Sequence, residues 1–465
     1  MTQRAEGTLN LRRLAASRLH QSATLKGQDN PLRSTSAKAD HLDRIDDEPF
    51  WRAQERRREK QLGQPCCTQS GISWTLIDMP GRFAVVIHGE YDCVNCFRHN
   101  AGRSSWRYFS TRLSEGQLTS GETAGPLRRC LELIVEHDAP DAIVVLGTCP
   151  VEVIGDQFDT VVDAVSQETG VPMVALHTSG LKLSTQQDML DWCFDTLVGL
   201  NDSPSTPEST KELALIGMPS GTNGSAEMKT VLDGSGLTLL ASFPQEAGLQ
   251  EWKRLAGSGR VVVSDRGMFP KLMTRLEAAG CVVNEVPLPY GLEQSVAVYD
   301  CIQALTDKPL NAHLDRAREQ AEEAIEAFRL KWSGTPMALG IRMHNSNQFT
   351  MVAREGLGHV RMFTELGLNV TLLIQGSPDP SMRGVWKELL AEQGLHLPFD
   401  VFPGPYAIGE CLFRRPYRLA CVADWMHEQV KDTGIPTVFS HQMQPWLSGV
   451  SPNLNRLNRA LEKTK

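Results

Sequence analysis

The chain has 465 residues, which at roughly 100–200 residues per domain suggests three domains. Hydrophobic residues make up 41 %, enough for several cores, and the formal net charge of -8 leaves no basic field that would call for nucleic acid. No apolar run approaches the ~20 residues of a membrane span and no secretory apolar segment follows the start, so the expectation is a cytoplasmic protein with neither nucleic acid nor membrane as partner.

Residues 1–60 are polar and charged, with like charges in series at Arg56-Arg57-Arg58, and little there could form a core. Arg12, Arg13 and Arg18 among Leu and Ala mimic an organelle transit peptide, but a disordered or partner-hugging arm is the plainer reading. From about residue 61 short β-branched runs alternate with longer amphipathic stretches. Phe83–Ile87, Ala142–Leu146 and Met173–Leu176 read as strands, with one helix over Val151–Thr169 between the last two. That alternation is the pattern of βαβ units and parallel sheets. Asn201-Asp202-Ser203-Pro204-Ser205-Thr206-Pro207 reads as a linker. A second series follows, with strands at Leu213–Met218, Leu237–Ser242, Arg260–Ser264 and Cys281–Val286 and a long helix from about Asn311 to Trp332. A third has strands at Met337–Ile341, Val370–Ile374, Leu419–Ala423 and Thr437–Phe439. The expected fold is therefore α/β: a polar N-terminal arm (1–60) and three Rossmann-like parallel-sheet domains at 61–200, 201–335 and 336–465. No phosphate-binding Gly-x-x-x-x-Gly-Lys-Ser/Thr loop occurs, so ATP, if consumed, is bound by another subunit.

Eleven cysteines in a cytoplasmic chain do not suggest a disulfide framework. Cys130, Cys193, Cys301, Cys411 and Cys421 sit in apolar or helical contexts and read as small buried hydrophobes. Cys66, Cys67, Cys93 and Cys96 cluster near the first strand, and Cys149 follows the second. In open parallel sheets ligands collect outside the carboxyl ends of strands, so Cys93 and Cys149 can converge, and the loop carrying Cys66 and Cys67 can reach the same edge. Three thiolates there form a soft anionic site suited to an iron–sulfur cluster or to zinc. A zinc knot would use the Cys-x-x-Cys at 93–96, but a second such pair is missing. Unliganded buried cysteines are the other alternative.

Here the motifs become specific. His88-Gly89-Glu90-Tyr91-Asp92-Cys93-Val94-Asn95-Cys96-Phe97-Arg98 resembles the His-Gly-x-x-Gly-Cys-x-x-x-Phe-Arg segment of the nitrogenase β subunit. Thr148-Cys149-Pro150-Val151-Glu152-Val153-Ile154-Gly155-Asp156 resembles that subunit's Thr-Cys-x-x-Glu-x-Ile-Gly-Asp-Asp segment, and Cys67-Thr68-Gln69-Ser70-Gly71 its first cluster-cysteine segment. Pro287-Leu288-Pro289-Tyr290-Gly291 resembles the family's Pro-x-Gly turn. The resemblance to nitrogenase component 1, β type, runs from about residue 61 to the end. It implies that Cys67, Cys93 and Cys149, with Cys66 as the alternative to Cys67, are this chain's share of an eight-iron P-cluster-like centre completed by a homologous α-type chain. It also implies a heterotetramer of two α-type and two β-type chains, a separate ATP-hydrolysing iron–sulfur reductase, and an active-site metallocluster in the partner. Asp92 replaces a glycine of the motif, Cys96 has no counterpart, and Ser105-Trp106-Arg107-Tyr108-Phe109 stands where nitrogenase proper has Arg-His-Phe. These departures argue against dinitrogen reduction. Among the nitrogenase-like enzymes, elimination leaves methylthio-alkane reductase ahead of protochlorophyllide and chlorophyllide reductases. A cofactor-assembly scaffold would use the same cysteines.

The remaining candidates have plainer readings. Asp156 reads as a charge near a helix amino terminus, Glu152 either as that or as a group tuning the cluster, and His88 as a satisfied structural histidine. Cys281 and His441 are a Cys and a His of the kind that hold an active-site cluster in α-type chains, but neither lies in a recognisable α-type motif, and burial accounts for Cys281. His344-Asn345-Ser346-Asn347 reads as a polar strand-end loop, and Trp425, Met426 and His427 as packing.

Overall fold

The computed structural model of the chain describes residues 68–77, 79–93, 107–179, 186–200, 211–219, 224–306, 308–311, 313–341, 358–375, 380–392, 394–403, 407–423 and 426–463. The polar arm, Cys66, Cys67, Cys96, Ser105, Trp106, the 201–207 linker, the loop from His344 to Asn347 and Trp425 lie outside the described residues.

Strands β1 (Phe83–His88), β2 (Tyr108–Ser110), β3 (Ala142–Gly147) and β4 (Met173–His177) form a first sheet in the order β2-β1-β3-β4. Its helices are α1 (Thr68–Ile77), α2 (Glu115–Ser120), α3 (Ala124–Asp138), α4 (Cys149–Val153), α5 (Phe158–Thr169) and α6 (Gln186–Gly199). A second sheet runs β6-β5-β7-β8, from β5 (Glu212–Ile216), β6 (Thr238–Phe243), β7 (Gly259–Val263) and β8 (Val282–Glu285). With it go α7 (Gly224–Leu232), α8 (Leu249–Arg254), α9 (Pro270–Ala278), α10 (Leu292–Ala304) and α11 (His313–Trp332). The third, β11-β10-β9-β12-β13, is built from β9 (Pro336–Ile341), β10 (Asn369–Gln375), β11 (Phe399–Phe402), β12 (Leu419–Val422) and β13 (Thr437–Phe439). Its helices are α12 (Gly358–Glu365), α13 (Pro380–Glu392), α14 (Ile408–Phe413), α15 (His427–Val430) and α16 (Leu447–Glu462). Every strand pair is parallel. No described helix is long and apolar enough to cross a membrane.

β1 and β3 are buried along their whole length, which is why they read as unbroken apolar runs rather than as alternating ones. Successive side chains still point to opposite faces. Ala84, Val86, Ile143 and Val145 pack under α3 and α5, whereas Val85, Val144 and Leu146 join a core with Ala214, Ile216, Val261 and Val263 of the second sheet. The opposite face of that second sheet, Leu213, Leu215 and Val262, shares a core with Leu339, Leu372 and Cys421 of the third. Two buried or half-buried carboxylates tie neighbouring layers. Asp191 on α6 accepts from the backbone N–H groups of Lys271 and Leu272 at 2.9 and 3.0 Å, capping α9. Glu365, the last residue of α12, accepts from Leu292 and Glu293 at 2.9 and 2.8 Å, capping α10. Each puts negative charge on a helix amino terminus, where the unpaired N–H groups favour it. Gly291 precedes α10 at φ 82°, and a Cβ there would lie 2.2 Å from the Glu365 carboxylate, so the Pro-x-Gly turn needs its glycine for both reasons.

The single helix expected over Val151–Thr169 is two, α4 and α5, parted by Ile154-Gly155-Asp156-Gln157. Gly155 has φ 74°, a left-handed turn that an uninterrupted helix cannot contain.

His359 at the start of α12 is fully buried against Tyr290, with ring centroids 4.2 Å apart, and neither ring nitrogen has a hydrogen-bond partner among the described residues. Burial pushes its pKa down to about 3.

Candidate metal centre

β1 and β3 are adjacent, and their last residues, His88 and Gly147, are register partners. Both cysteine segments therefore leave the sheet at one edge. After Gly89 and Glu90, a helical turn over Tyr91-Asp92-Cys93 brings Cys93 to a half-buried position. Cys149, also half-buried, is the first residue of α4, entered from an extended Thr148 with Pro150 next. Pro is tolerated in the first turn, where its missing N–H is no loss.

The two segments interlock. The Thr148 backbone N–H and hydroxyl both donate to the His88 carbonyl, at 3.1 and 2.9 Å. Thr178, just past β4, repeats the device on the Gly147 carbonyl at 3.2 and 2.7 Å. A Cβ on Gly89 would fall 1.9 Å from the Thr148 hydroxyl oxygen, so only glycine lets the chains approach this closely. A Cβ on Gly147 would fall 2.6 Å from Phe158, whose buried ring occupies that space.

Histidines end the strands on either side of Gly147. His88 is buried. With its proton on Nε2 it donates to Asp156 at 3.0 Å and accepts from the Thr111 hydroxyl at 3.2 Å on Nδ1. Burial lowers its pKa, against the raising effect of Asp156, so the ring is neutral. His177 faces Glu152 through Nδ1 at 2.7 Å and Asp159 through Nε2 at 2.8 Å. The Glu152 contact, with help from Asp159, raises its pKa against burial, which fits an imidazolium donating from both nitrogens. Phe158 lies between the two rings, at 5.5 Å from His88 and 4.6 Å from His177.

His88 is thus the satisfied structural histidine expected. Asp156 stands just ahead of the N-cap of α5, the helix-end position anticipated for it, and its carboxylate also holds His88, while Glu152 is taken up by His177. Sequence reasoning passed over His177 and Asp159. The available signal was a histidine ending a strand, followed by a threonine, in the position that His88 holds two strands away. The guanidinium of Arg112, at φ 49°, stacks 4.6 Å over the Tyr91 ring beside the Cys93 turn. Val153 and Ile154 stand out into solvent just after Cys149, 68 and 43 % exposed.

The other described thiols are of a different kind. Burial raises Cys130 to about 11 and Cys193 to about 12, and raises Cys281, Cys301, Cys411 and Cys421 as well, so all six stay protonated. Cys281 donates to the Ala256 carbonyl at 3.2 Å, while His441 is exposed and stacks on Phe439. Among the described residues no three His, Cys, Asp or Glu side chains are placed to hold a metal ion. The edge itself offers two half-buried sulfurs on adjoining loops, soft donors of the type an iron–sulfur cluster takes.

Residues 67–404 match the family described as nitrogenase component 1 type oxidoreductase. The chain belongs to that family. This nitrogenase component 1 type chain is 24 % identical over 201 residues to the nitrogenase iron-molybdenum cofactor biosynthesis protein NifE of Klebsiella pneumoniae, covering 40 % of this chain and 44 % of that protein. It is 30 % identical over 138 residues to the nitrogenase molybdenum-iron protein alpha chain of Methanothermobacter marburgensis, 29 % of each chain. The chain thus matches less than half the length of these curated relatives. A solved structure described as nitrogenase Cp1 at pH 6.5 superposes with a TM-score of 0.68 at 14 % identity, over 87 % of this chain and 93 % of that one, and shares its fold.

Proposed function

We propose that this component 1 type chain is the cluster-carrying, β-type subunit of an ATP-dependent nitrogenase-like reductase. Cys67, Cys93 and Cys149 would hold an iron–sulfur centre at an interface with a homologous α-type chain, in a heterotetramer served by a separate ATP-hydrolysing reductase. The observation that supports this most is the interlock of the Cys93 and Cys149 segments at one strand edge, inside the stretch that matches the family. Bound there, a P-cluster-like centre would supply storage and transfer of single electrons. The chain's own residues hold the edge: Gly89 and Thr148 set the spacing of the loops, and Phe158 fills the space behind them. Exposed Val153 and Ile154 give a partner chain an apolar footing beside Cys149. The reaction assigned, by elimination among the nitrogenase-like reductases, is reductive C–S cleavage of methylthio-alkanes, with the substrate-reducing metallocluster in the α-type partner.

A second reading, a scaffold on which a metallocluster is assembled and released, is favoured by the likeness to the NifE cofactor biosynthesis protein. Co-purification of the chain with its genetically neighbouring homologue under anaerobic conditions, followed by iron and acid-labile sulfide assay, tests the shared premise. A zinc-only preparation would refute both readings. Sustained turnover with the reductase and ATP favours the enzyme, and transfer of cofactor to an empty acceptor without turnover favours the scaffold.

A further inference from the structure

The ten residues from Thr148 to Gln157, between β3 and α5, carry one short helix. Their regular structure is the five-residue α4, and the break at Gly155 separates it from α5. A helix that short is far below the length that is stable alone. Thr148 ties its start to the His88 carbonyl and Val151 is buried in the core, and beyond these the segment is gripped from both sides. His88 ends β1, Gly147 ends β3 and His177 ends β4, and the three are register partners across neighbouring strands. From one flank His88 holds Asp156, and from the other His177 holds Glu152 and Asp159. The groups facing His88 are Asp156, Thr111 and the Phe158 ring, and those facing His177 are Glu152, Asp159 and the same ring.

Ionic groups are a costly way to secure a loop. The Glu152 side chain is 4 % exposed and that of Asp156 9 %. Buried carboxylates need good partners to offset lost hydration, and apolar residues of similar volume often stabilise as well or better. What directional bonds add is a defined position. Because no side chain can stand at Gly147, the segment passes over a bare strand end and takes its position from the two histidines beside it. Cys149 lies inside this grip, and His88 belongs to the chain that continues to Cys93.

We propose that His88 and His177 are positioning residues that clasp the Cys149 segment and set where its sulfur sits relative to Cys93. The inference rests on the reading of these cysteines as cluster ligands, but the clasp is testable without a cluster. The full-length reduced chain, stripped of metal by chelation, is pulsed with iodoacetamide, and alkylation of Cys149 and Cys130 is followed by peptide mass spectrometry. His177→Leu should raise the Cys149 rate about tenfold, equivalent to roughly 1.4 kcal/mol of local hold, and leave Cys130 unchanged. Glu152→Gln, whose amide oxygen can still accept from Nδ1, should keep Cys149 within about twofold of wild type. In the iron-loaded complex the paramagnetic signature of the cluster should shift in His177→Leu and not in Cys130→Ala. An unchanged Cys149 rate in folded His177→Leu, or an equal rise at Cys130, overturns the proposal. Should that variant not fold, Asp156→Leu loosens the other side and decides by the same criterion. A wild-type complex without iron would defeat the cluster reading, while the alkylation rates would still decide the clasp.

Discussion

Acidification from about pH 8 to about pH 5 should cost the folded chain about 2 kcal/mol through one side chain, His359. Its ring is fully buried on Tyr290, both nitrogens lack partners among the described residues, and burial holds its pKa at about 3. In the unfolded chain the same imidazole titrates near ~6.5. The folded value is the depressed one, so the unfolded state gains the proton first. Stability is intact above pH ~6.5 and falls as the pH moves from there toward 3. At pH 5, about 1.5 units below the unfolded value and well above the folded one, the loss is about 2 kcal/mol, at about 1.36 per unit. Urea unfolding of the reduced wild type and of His359→Phe, at both pH values, isolates the term. Phe keeps a ring against Tyr290 and does not titrate, and every other ionisable group is common to both proteins. The wild type should lose about 2 kcal/mol more than the variant over this interval. Equal losses would mean that the ring accepts a proton while folded, and the reasoning from burial would be wrong.

Cys93→Ala and Cys149→Ala should each abolish electron delivery and remove the shared centre's part of the iron in the anaerobic complex, with Cys67→Ala alike and Cys66→Ala milder, because a methyl group cannot replace a thiolate. Cys130→Ala should keep its iron and lose about 1 kcal/mol in urea unfolding. Gly89→Ala drives a methyl into Thr148 and should cost at least about 2 kcal/mol, read from the same unfolding curves, together with loss of iron as the Cys149 segment moves. Glu365→Ala removes the cap of α10 and should lower stability by about 1–2 kcal/mol, measurable by thermal or urea unfolding, without altering iron content.

The clearest strands in the sequence were those buried along their length, although the half-buried Val282–Glu285 and Thr437–Phe439 were read as well. Phe83–Ile87 and Ala142–Gly147 announce themselves because every residue there is apolar or small. The edge strands β2 and β11 are half-buried over most of their length, and their short sequences, Tyr108-Phe109-Ser110 and Phe399-Asp400-Val401-Phe402, carry no such run. The division of the 151–169 stretch was hidden because Val151, Phe158, Val162 and Val165 keep an apolar rhythm across Gly155. At the candidate site, Cys93 and Cys149 could be brought to one edge from strand ends alone. The histidine–carboxylate contacts could not, since His88 and Asp156 lie 68 residues apart and His177 and Glu152 25 apart, and their meeting depends on which strands are neighbours and in what register.

The middle sheet has no face of its own to spare. Leu213 and Leu215 belong to the core shared with the third sheet, while Ala214 and Ile216, one position along, belong to the core shared with the first. A slip of β5 by one residue would exchange the two sets, sending each toward the wrong neighbour. Any fragment that ended between layers would present a bare apolar wall to water. The chain is thus committed to folding as a stack, in which a residue within a layer answers to two neighbours at once and only the loops at the strand ends escape that constraint. Cys93 and Cys149 stand at those strand ends, so the proposed centre sits where the layers leave the chain unclaimed and contacts such as that of Gly89 with Thr148 alone set its geometry.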